Sequence, residues 1–220
     1  FYGSIGFSGC FWPCASTSEA VKKNVYVYYW KGASGYGASG KDKAVGSGDA
    51  NNYPVTGYVM KKYVHNDDAW SGTDATVLPK SFPIIRYAEI LLGYAETLNE
   101  LGDSKNAVKT VNLIRKRAGV GELDENKNWN KDELRQRIYK EYRVEFAFED
   151  NRFFDARRWA KAEEWFSKPV YKVTVTGSLE NPTYTRSLLE ERIFLSKCYH
   201  FPIPQQEVDN SQNIEQNAGW

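Results

Sequence analysis

The sequence predicts a mainly α-helical fold of tetratricopeptide-type helical hairpins, with long irregular loops and a few short strands. Downstream of Pro83, apolar residues recur with a period near 3.6, which is typical of amphipathic helices. Gly102 and Gly119 follow two such runs, where glycine favours the end of a helix. The first 80 residues are instead rich in Gly, Ser, Asn and Tyr, with only brief alternating segments.

The first predicted helix begins at Pro83, because proline suits the first helical position, and ends at Gly102. Asp103 is a suitable N-cap for a second helix, which ends at Gly119. The apolar positions of the first helix are Ile84, Tyr87, Ala88, Leu91, Leu92, Ala95 and Leu98.

Small residues in this hairpin have the spacing of a tetratricopeptide repeat, in which two helices cross closely. These residues are Ala95, Gly102 and Ala107. One such hairpin cannot bury its own apolar face, so neighbouring repeats are expected.

Two further helices are predicted downstream. Asn130 and Glu133 resemble a capping box at the start of a long helix that continues to Glu149. Asn151 begins the next helix, which we expect to reach Trp165.

The remaining segments are predicted to be extended. Residues Tyr171 to Thr176 alternate like a strand of a small hairpin. Beyond Tyr199 we expect extended chain, because Pro202 and Pro204 disfavour helix.

The composition argues against several classes of protein. Lys plus Arg number 29 against 28 Asp plus Glu, so no net charge attracts nucleic acid. No apolar run is long enough to span a bilayer as a helix. Three cysteines are too few for a disulfide framework, and the two histidines lie in no zinc-binding pattern. We expect neither a metal site nor a cofactor.

One run of carboxylates has the spacing of a catalytic or di-metal site: Glu141, Glu145 and Glu149 fall on one helix face. The preferred interpretation is an ion-pair network, because a di-iron bundle needs Glu-x-x-His motifs and no histidine lies nearby. Arginines close in sequence are Arg143, Arg152, Arg157 and Arg158. Neither a nucleophile elbow nor a phosphate-binding loop is present, so no catalytic residues are assigned.

Aromatic residues of the loops, together with nearby amide and carboxylate side chains, are the candidate ligand-binding residues. An aromatic ring is apolar on its face, and amides and carboxylates supply hydrogen bonds, which together suit a sugar. The alternative is that these rings anchor the loops to the helices. The candidates are Trp12, Trp30, Tyr36, Tyr53, Trp70, Asn51, Asn52 and Asp67.

Several motifs occur along the helical part of the sequence: Arg86-Tyr87-Ala88-Glu89, Tyr94-Ala95-Glu96, the run from Asn112 to Gly119, Arg152-Phe153-Phe154-Asp155, Pro202-Ile203-Pro204 and Gln216-Asn217. Together they resemble the carboxy-terminal half of the SusD/RagB family of nutrient-binding outer-membrane lipoproteins. The resemblance covers residues 83 to 220. Two departures are mild: Tyr142 stands where the family has Arg, and Asp150 where it has Gly.

The resemblance implies two regions: a loop-rich, ligand-facing segment over residues 1–80 and a helical region with an extended tail over 81–220. It implies a protein without catalytic activity that captures glycan at the external face of the outer membrane. It further implies that the glycan passes to a SusC-like TonB-dependent transporter. The lipid anchor and an amino-terminal half with two further helical repeats are expected upstream of this chain.

Three alternatives stay open from the sequence. A tetratricopeptide-type scaffold would bind another protein through its helical groove. The same uptake role could serve a peptide cargo. A glycan hydrolase would depend on the Glu141 to Glu149 carboxylates.

Overall fold

Six α-helices and three two-stranded antiparallel sheets make up the described part of the computed structural model, which comprises residues 1–7, 10–11, 26–27, 56–65, 68, 78–177 and 181–220. The helices are α1 Tyr87–Glu100, α2 Ser104–Arg117, α3 Lys131–Glu145, α4 Asn151–Arg158, α5 Ala162–Phe166 and α6 Gln205–Asn210, with a 3₁₀ turn at Ser196–Tyr199. The strands are β1 Ile5–Phe7, β2 Cys10–Phe11, β3 Tyr26–Val27, β4 Tyr58–Met60, β5 Val170–Gly177 and β6 Pro182–Glu190. The mainly α prediction is confirmed.

The chain forms two compact units. The first contains residues 79–152 together with Phe1, and so includes α1, α2 and α3. The second contains residues 2–78 and 153–220, and so includes all six strands and the carboxy-terminal tail.

In the first unit, α1 and α2 form the predicted hairpin. Ala95 and Ala107 are fully buried where the helices pack, and Leu92 and Val111 complete that surface. The carboxylate of Asp103 accepts a hydrogen bond from Asn106 N at 3.1 Å, which confirms the predicted cap.

Both helices end in a Schellman motif centred on glycine. Gly102 and Gly119 adopt positive φ values of 88° and 67°. The amide after each glycine donates back to the helix, from Asp103 to Leu98 O and from Val120 to Arg115 O. The glycine signals in the sequence therefore predicted both ends correctly.

The start of α1 differs from the prediction. The helix begins at Tyr87 and not at Pro83, because Arg86 adopts an extended backbone (φ −119°, ψ 148°) as the N-cap residue. Ile84 and Ile85 consequently precede the helix, and both are mostly exposed.

Helix α3 packs Leu134, Ile138 and Tyr142 against its neighbours. Asn130 Oδ1 caps it by accepting from Asp132 N at 2.9 Å and from Glu133 N at 3.5 Å. The helix ends at Glu145, four residues before the predicted end. Phe148 and Asp150 then adopt left-handed backbone conformations before α4 begins at Asn151, as predicted.

The predicted helix from Asn151 to Trp165 is broken in the second unit. Ala160 has a φ of 52°, and Lys161 N donates to Ala156 O at 2.8 Å, so α4 also ends in a Schellman motif. The short α5 then turns Ala162 into a core that contains Ala156 and Phe194. The T-shaped pair of Trp159 and Trp165 spans the break.

The predicted strand at 171–176 is confirmed as β5, and its partner β6 was not predicted. Their register opposes Tyr171 to Leu188 and Val173 to Arg186. The segment after Tyr199 is not extended throughout, because α6 follows Pro204 directly. Proline favours the start of a helix, and here it acts as the N-cap residue.

Replacing Ala160 by Gly should stabilise the protein by about 0.5–1 kcal/mol. Relief of the left-handed alanine, about 1–2 kcal/mol, exceeds the added entropy of the unfolded chain, about 0.4–1 kcal/mol. Urea unfolding measures the difference. The matched control is Ala118→Gly, at a helix end with a φ of −77°, which should lower stability. Equal effects of the two substitutions would contradict the strain at Ala160.

Candidate functional site

The carboxylates Glu141, Glu145 and Glu149 each face an arginine in the first unit. Arg115 pairs with Glu141, and Arg117 pairs with Glu145 at 2.6 Å. Arg86 bridges the other two acids, at 2.7 Å from each. The predicted ion-pair network is therefore confirmed.

The arginines observed in this network include residues distant in sequence from the three carboxylates. Two of the expected partners, Arg157 and Arg158, lie in the second unit, where Arg158 pairs with Asp155 at 2.9 Å. The observed partners come from α2 and from the residue before α1.

Arg86 has the most complete set of contacts in this network. Its Nε and Nη2 donate to the two carboxylate oxygens of Glu149 at 2.7 and 2.8 Å. Its Nη1 donates to Glu145 Oε1 at 2.7 Å, and its Nη2 also donates to Glu145 O at 3.2 Å. The guanidinium lies 4.9 Å from the ring centroid of Phe146. These contacts bind the start of α1 to the end of α3.

The pKa of Glu145 shows which protonation state this network favours. Burial alone would raise that pKa, but hydrogen bonds from Arg117 and Arg86 outweigh burial and hold the pKa below its usual value. Glu145 is therefore ionised at neutral pH. A general acid of a glycosidase needs a raised pKa, so this geometry does not favour the hydrolase alternative.

A second charged contact secures the other end of α1. Arg135 donates to both carboxylate oxygens of Glu100, at 2.5 and 2.7 Å. That hydrogen bond, together with the ammonium of Lys131, lowers the pKa of Glu100 to about 2. The pair is largely exposed, so it contributes little to stability.

In the second unit, Arg157 holds the tail against α4. It donates to Phe153 O at 3.1 Å and to Cys198 O at 3.3 Å. Its guanidinium carbon lies 3.5 Å from the ring centroid of Phe153, and the rings of Phe194 and Phe201 are within 6 Å. One arginine thus joins a helix to the segment that precedes the Pro-Ile-Pro motif.

The Pro-Ile-Pro motif has a specific partner in the tail. Ile203 lies between Pro202 and Pro204 and has a backbone N–H, which prolines lack. Gln216 Oε1 accepts from Ile203 N, and Gln216 Nε2 donates to Ile203 O, both at 2.8 Å. Asn217 Nδ2 donates to Phe201 O at 2.6 Å. The two tail motifs that the sequence analysis matched are therefore bonded to each other.

All eight candidate ligand-binding residues lie outside the described residues: Trp12, Trp30, Tyr36, Tyr53, Trp70, Asn51, Asn52 and Asp67. Their role stays a prediction. Trp12 directly follows β2, Trp30 comes three residues after β3, and Tyr53 comes three residues before Thr56.

The strands next to these candidates are joined to one another. Lys61 Nζ, just after β4, donates to Phe11 O in β2 at 2.9 Å. Val173 N in β5 donates to Thr56 O at 3.0 Å. Phe11, Thr56 and Lys61, which lie near candidate residues along the chain, therefore all belong to the second unit.

The sequence analysis missed aromatic residues that are exposed on these strands. Tyr58 and Tyr171 are about two-fifths exposed, and Tyr184 is 57% exposed. A signal was available for Tyr184, since it lies between two threonines, and aromatic and β-branched residues favour strands.

Among the described residues, no group of three His, Cys, Asp or Glu side chains is placed to hold a metal ion. Cys10 and Cys198 are free thiols. In the same part of the chain, no helix is both long and apolar enough to cross a membrane.

Comparison with known proteins shows which family this architecture resembles. The sequence model of the SusD family matches residues 1–220. SusD-like protein P2 of Formosa agariphila is 33% identical over 143 residues, which are 62% of this chain and 25% of that protein. SusD-like protein P38 of the same organism is 39% identical over 87 residues, which are 37% of this chain and 17% of that protein.

Two solved structures are also similar. A SusD-like protein of Bacteroides fragilis has a TM-score of 0.76 and 28% identity, over 100% of this chain and 38% of that chain. A protein of the same species described as a SusD-like carbohydrate binding protein has a TM-score of 0.59 and 26% identity, over 94% and 39%. The chain thus spans a quarter or less of the two curated relatives and about two-fifths of the solved ones.

Substituting Arg86 by Gln should cost about 2–4 kcal/mol of unfolding free energy. The change removes the charge and the hydrogen bonds that Arg86 gives to Glu145 and Glu149, whose side chains are only 12% and 8% exposed. Urea denaturation followed by circular dichroism gives the value. Arg143→Gln, at an exposed position on α3, is the control and should stay within about 0.5 kcal/mol of wild type. A loss at Arg86 no larger than the control's would show that the network does not stabilise the fold.

Acid should weaken the same network. Because the pKa of Glu145 is lower in the folded protein than its ordinary value of 4.5, its contribution is complete above that pH and is lost as pH falls below it. Glu145→Gln should be less stable than wild type at pH 7, and the two stabilities should converge towards pH 3. Unfolding free energies across this range test the prediction, with Glu191→Gln as an exposed control. A constant difference between wild type and Glu145→Gln at all pH values would contradict it.

Proposed function

Because the chain belongs to the SusD family, whose sequence model matches residues 1–220, we propose that it is a carbohydrate-binding protein without catalytic activity. Its role is to capture an oligo- or polysaccharide nutrient at the external face of the outer membrane. The full-length protein is lipid-anchored there and passes the glycan to a SusC-like TonB-dependent transporter.

The family match over the whole chain is the observation that supports this proposal. A structural neighbour at 26% identity is described as a carbohydrate binding protein, which supports glycan as the cargo. The ion-paired state of Glu141, Glu145 and Glu149 agrees with a protein that binds and does not hydrolyse its ligand.

The helical part and the loop-rich part of the chain suit different aspects of such a role. Ion pairs and buried side chains make α1, α2 and α3 a firm scaffold, and the loops of residues 1–80 supply the aromatic and amide side chains that a sugar needs. Trp12, Trp30 and Trp70, with Tyr36 and Tyr53, are the proposed ring platforms. Asn51, Asn52 and Asp67 are the proposed hydrogen-bonding partners.

A second candidate function, a tetratricopeptide-type scaffold for another protein, is favoured by one observation. The α1 side that does not pack on α2 or α3 is apolar and open to solvent, with Tyr87 74%, Ile90 58% and Tyr94 57% exposed. Exposed apolar surface of this kind is typical of sites that contact protein. Binding of a peptide and not of a saccharide would favour this function, or the same uptake role with a peptide cargo.

Transfer to a transporter is tested on the full-length protein in its native membrane. Crosslinking followed by mass spectrometry should identify a TonB-dependent transporter as the principal partner. Recovery of the protein without any such transporter would contradict this part of the proposal.

We expect the loop tryptophans to contact the bound saccharide directly. Titration of the chain with a panel of neutral and acidic glycans, followed by tryptophan fluorescence, should give saturable binding. At least one of Trp12→Ala, Trp30→Ala and Trp70→Ala should weaken that binding severalfold, because the change removes the large apolar face on which a sugar ring would pack. Tyr94→Ala removes an exposed aromatic ring on α1 and is the matched control. Unchanged affinity in all three tryptophan variants would contradict the assigned platforms.

A further inference from the structure

The β5–β6 hairpin presents a second aromatic surface that the sequence analysis did not assign. Side chains alternate along a strand, so Tyr184, Arg186 and Leu188 share one face of β6. Directly opposed residues lie on the same face, which adds Tyr171 opposite Leu188 and Val173 opposite Arg186. Tyr184 is 57% exposed and Tyr171 is 42% exposed, so this face is open to solvent.

Arg186 is held in a fixed position on this face. Its guanidinium carbon lies 3.7 Å from the ring centroid of Tyr171, the geometry of a cation–π contact. No carboxylate or carbonyl of the described residues accepts a hydrogen bond from it, in contrast to Arg86, Arg115, Arg117 and Arg135. A planar guanidinium with unused donors is well suited to bind a carboxylate through two parallel hydrogen bonds.

The hairpin is joined to the chain segment that leads to predicted ligand-binding residues. Val173 N, opposite Arg186, donates to Thr56 O at 3.0 Å. The contact is close: a Cβ on Gly57, whose φ is +77°, would lie 2.5 Å from Val173 O. Along the chain, Tyr53 precedes Thr56 by three residues.

We propose that this face binds an acidic sugar unit, with the pyranose ring on Tyr184 and its carboxylate on Arg186. This proposal rests on the proposed function, since it names the class of saccharide that the protein takes. Residues two apart on a strand are separated by about 7 Å, so the ring and the guanidinium can contact the two ends of one uronate residue. The cation on an otherwise aromatic and aliphatic face favours an anionic sugar over a neutral one.

The test compares charged and uncharged forms of the same saccharides with the full chain. The probes are oligogalacturonate, oligomannuronate and their methyl esters, with galacto-oligosaccharides as neutral ligands, and calorimetry gives the affinities. At least one free acid should bind about tenfold more tightly than its ester, and the difference should shrink at high salt. Free acids that bind no better than their esters would overturn the proposal.

Variants assign the binding to this face. Arg186→Gln should remove the preference for the free acid, whereas Tyr184→Ala should weaken binding of both forms. Arg186→Lys retains the charge without the planar fork, so it should keep only part of the preference while the melting temperature stays at the wild-type value. Lys172→Gln removes a cation from the opposite face of the same hairpin, and it should bind like wild type.

The outcomes separate this proposal from the function on which it rests. If neutral glycans bind and the Arg186 and Tyr184 variants match wild type, the hairpin site is wrong and the proposed function stands. If no saccharide of either class binds to wild type, the proposed function fails together with the hairpin site.

Discussion

The paired contacts of Arg86 are the interaction on which the arrangement of the helical unit depends. Arg86 has an extended backbone directly before α1 and pairs with both Glu145 and Glu149. Glu149 lies beyond the end of α3, where Phe148 and Asp150 adopt left-handed conformations. One side chain therefore links the start of one helix to the end of another. The charges are largely buried and mutually satisfied, which makes this network strongly dependent on each member.

In the second unit, the arginine contacts that hold the tail are with carbonyl oxygens and aromatic rings. Arg157 bonds to main-chain carbonyls and packs on phenylalanine rings, and so attaches the segment from Phe194 to Phe201 to α4. Gln216 then completes the hydrogen bonds of Ile203, the residue between two prolines that has an N–H to donate. These contacts explain why an extended, proline-containing tail is ordered without belonging to a sheet. The β5–β6 hairpin is bonded to Thr56 through Val173 N, and Lys61 is bonded to Phe11, so these described segments are joined within the second unit.

The two kinds of arginine contact, ion pairs in the first unit and contacts with carbonyls and rings in the second, are consistent with a binding protein of the SusD family. The carboxylates Glu141, Glu145 and Glu149 join helices through ion pairs. Arg186 instead contacts the ring of Tyr171, and it donates to no acceptor among the described residues. In the second unit, one backbone hydrogen bond, from Val173 N to Thr56 O, joins β5 to the segment before β4. The ligand class does not follow from the fold itself, because folds of one kind serve different ligands.

The sequence by itself determined the helical hairpin, the Asp103 cap and the two glycine ends, because apolar period, Asp103, Gly102 and Gly119 act through local backbone preferences. It also indicated that Glu141, Glu145 and Glu149 form ion pairs, since charges at that spacing need partners. The partners themselves, Arg86, Arg115 and Arg117, were decided by the tertiary structure, because contacts between distant segments have no local signal. For the same reason the break at Ala160 was missed: a residue other than glycine occupies the left-handed position, and only the packing of Ala156 and Ala162 against Phe194 requires it.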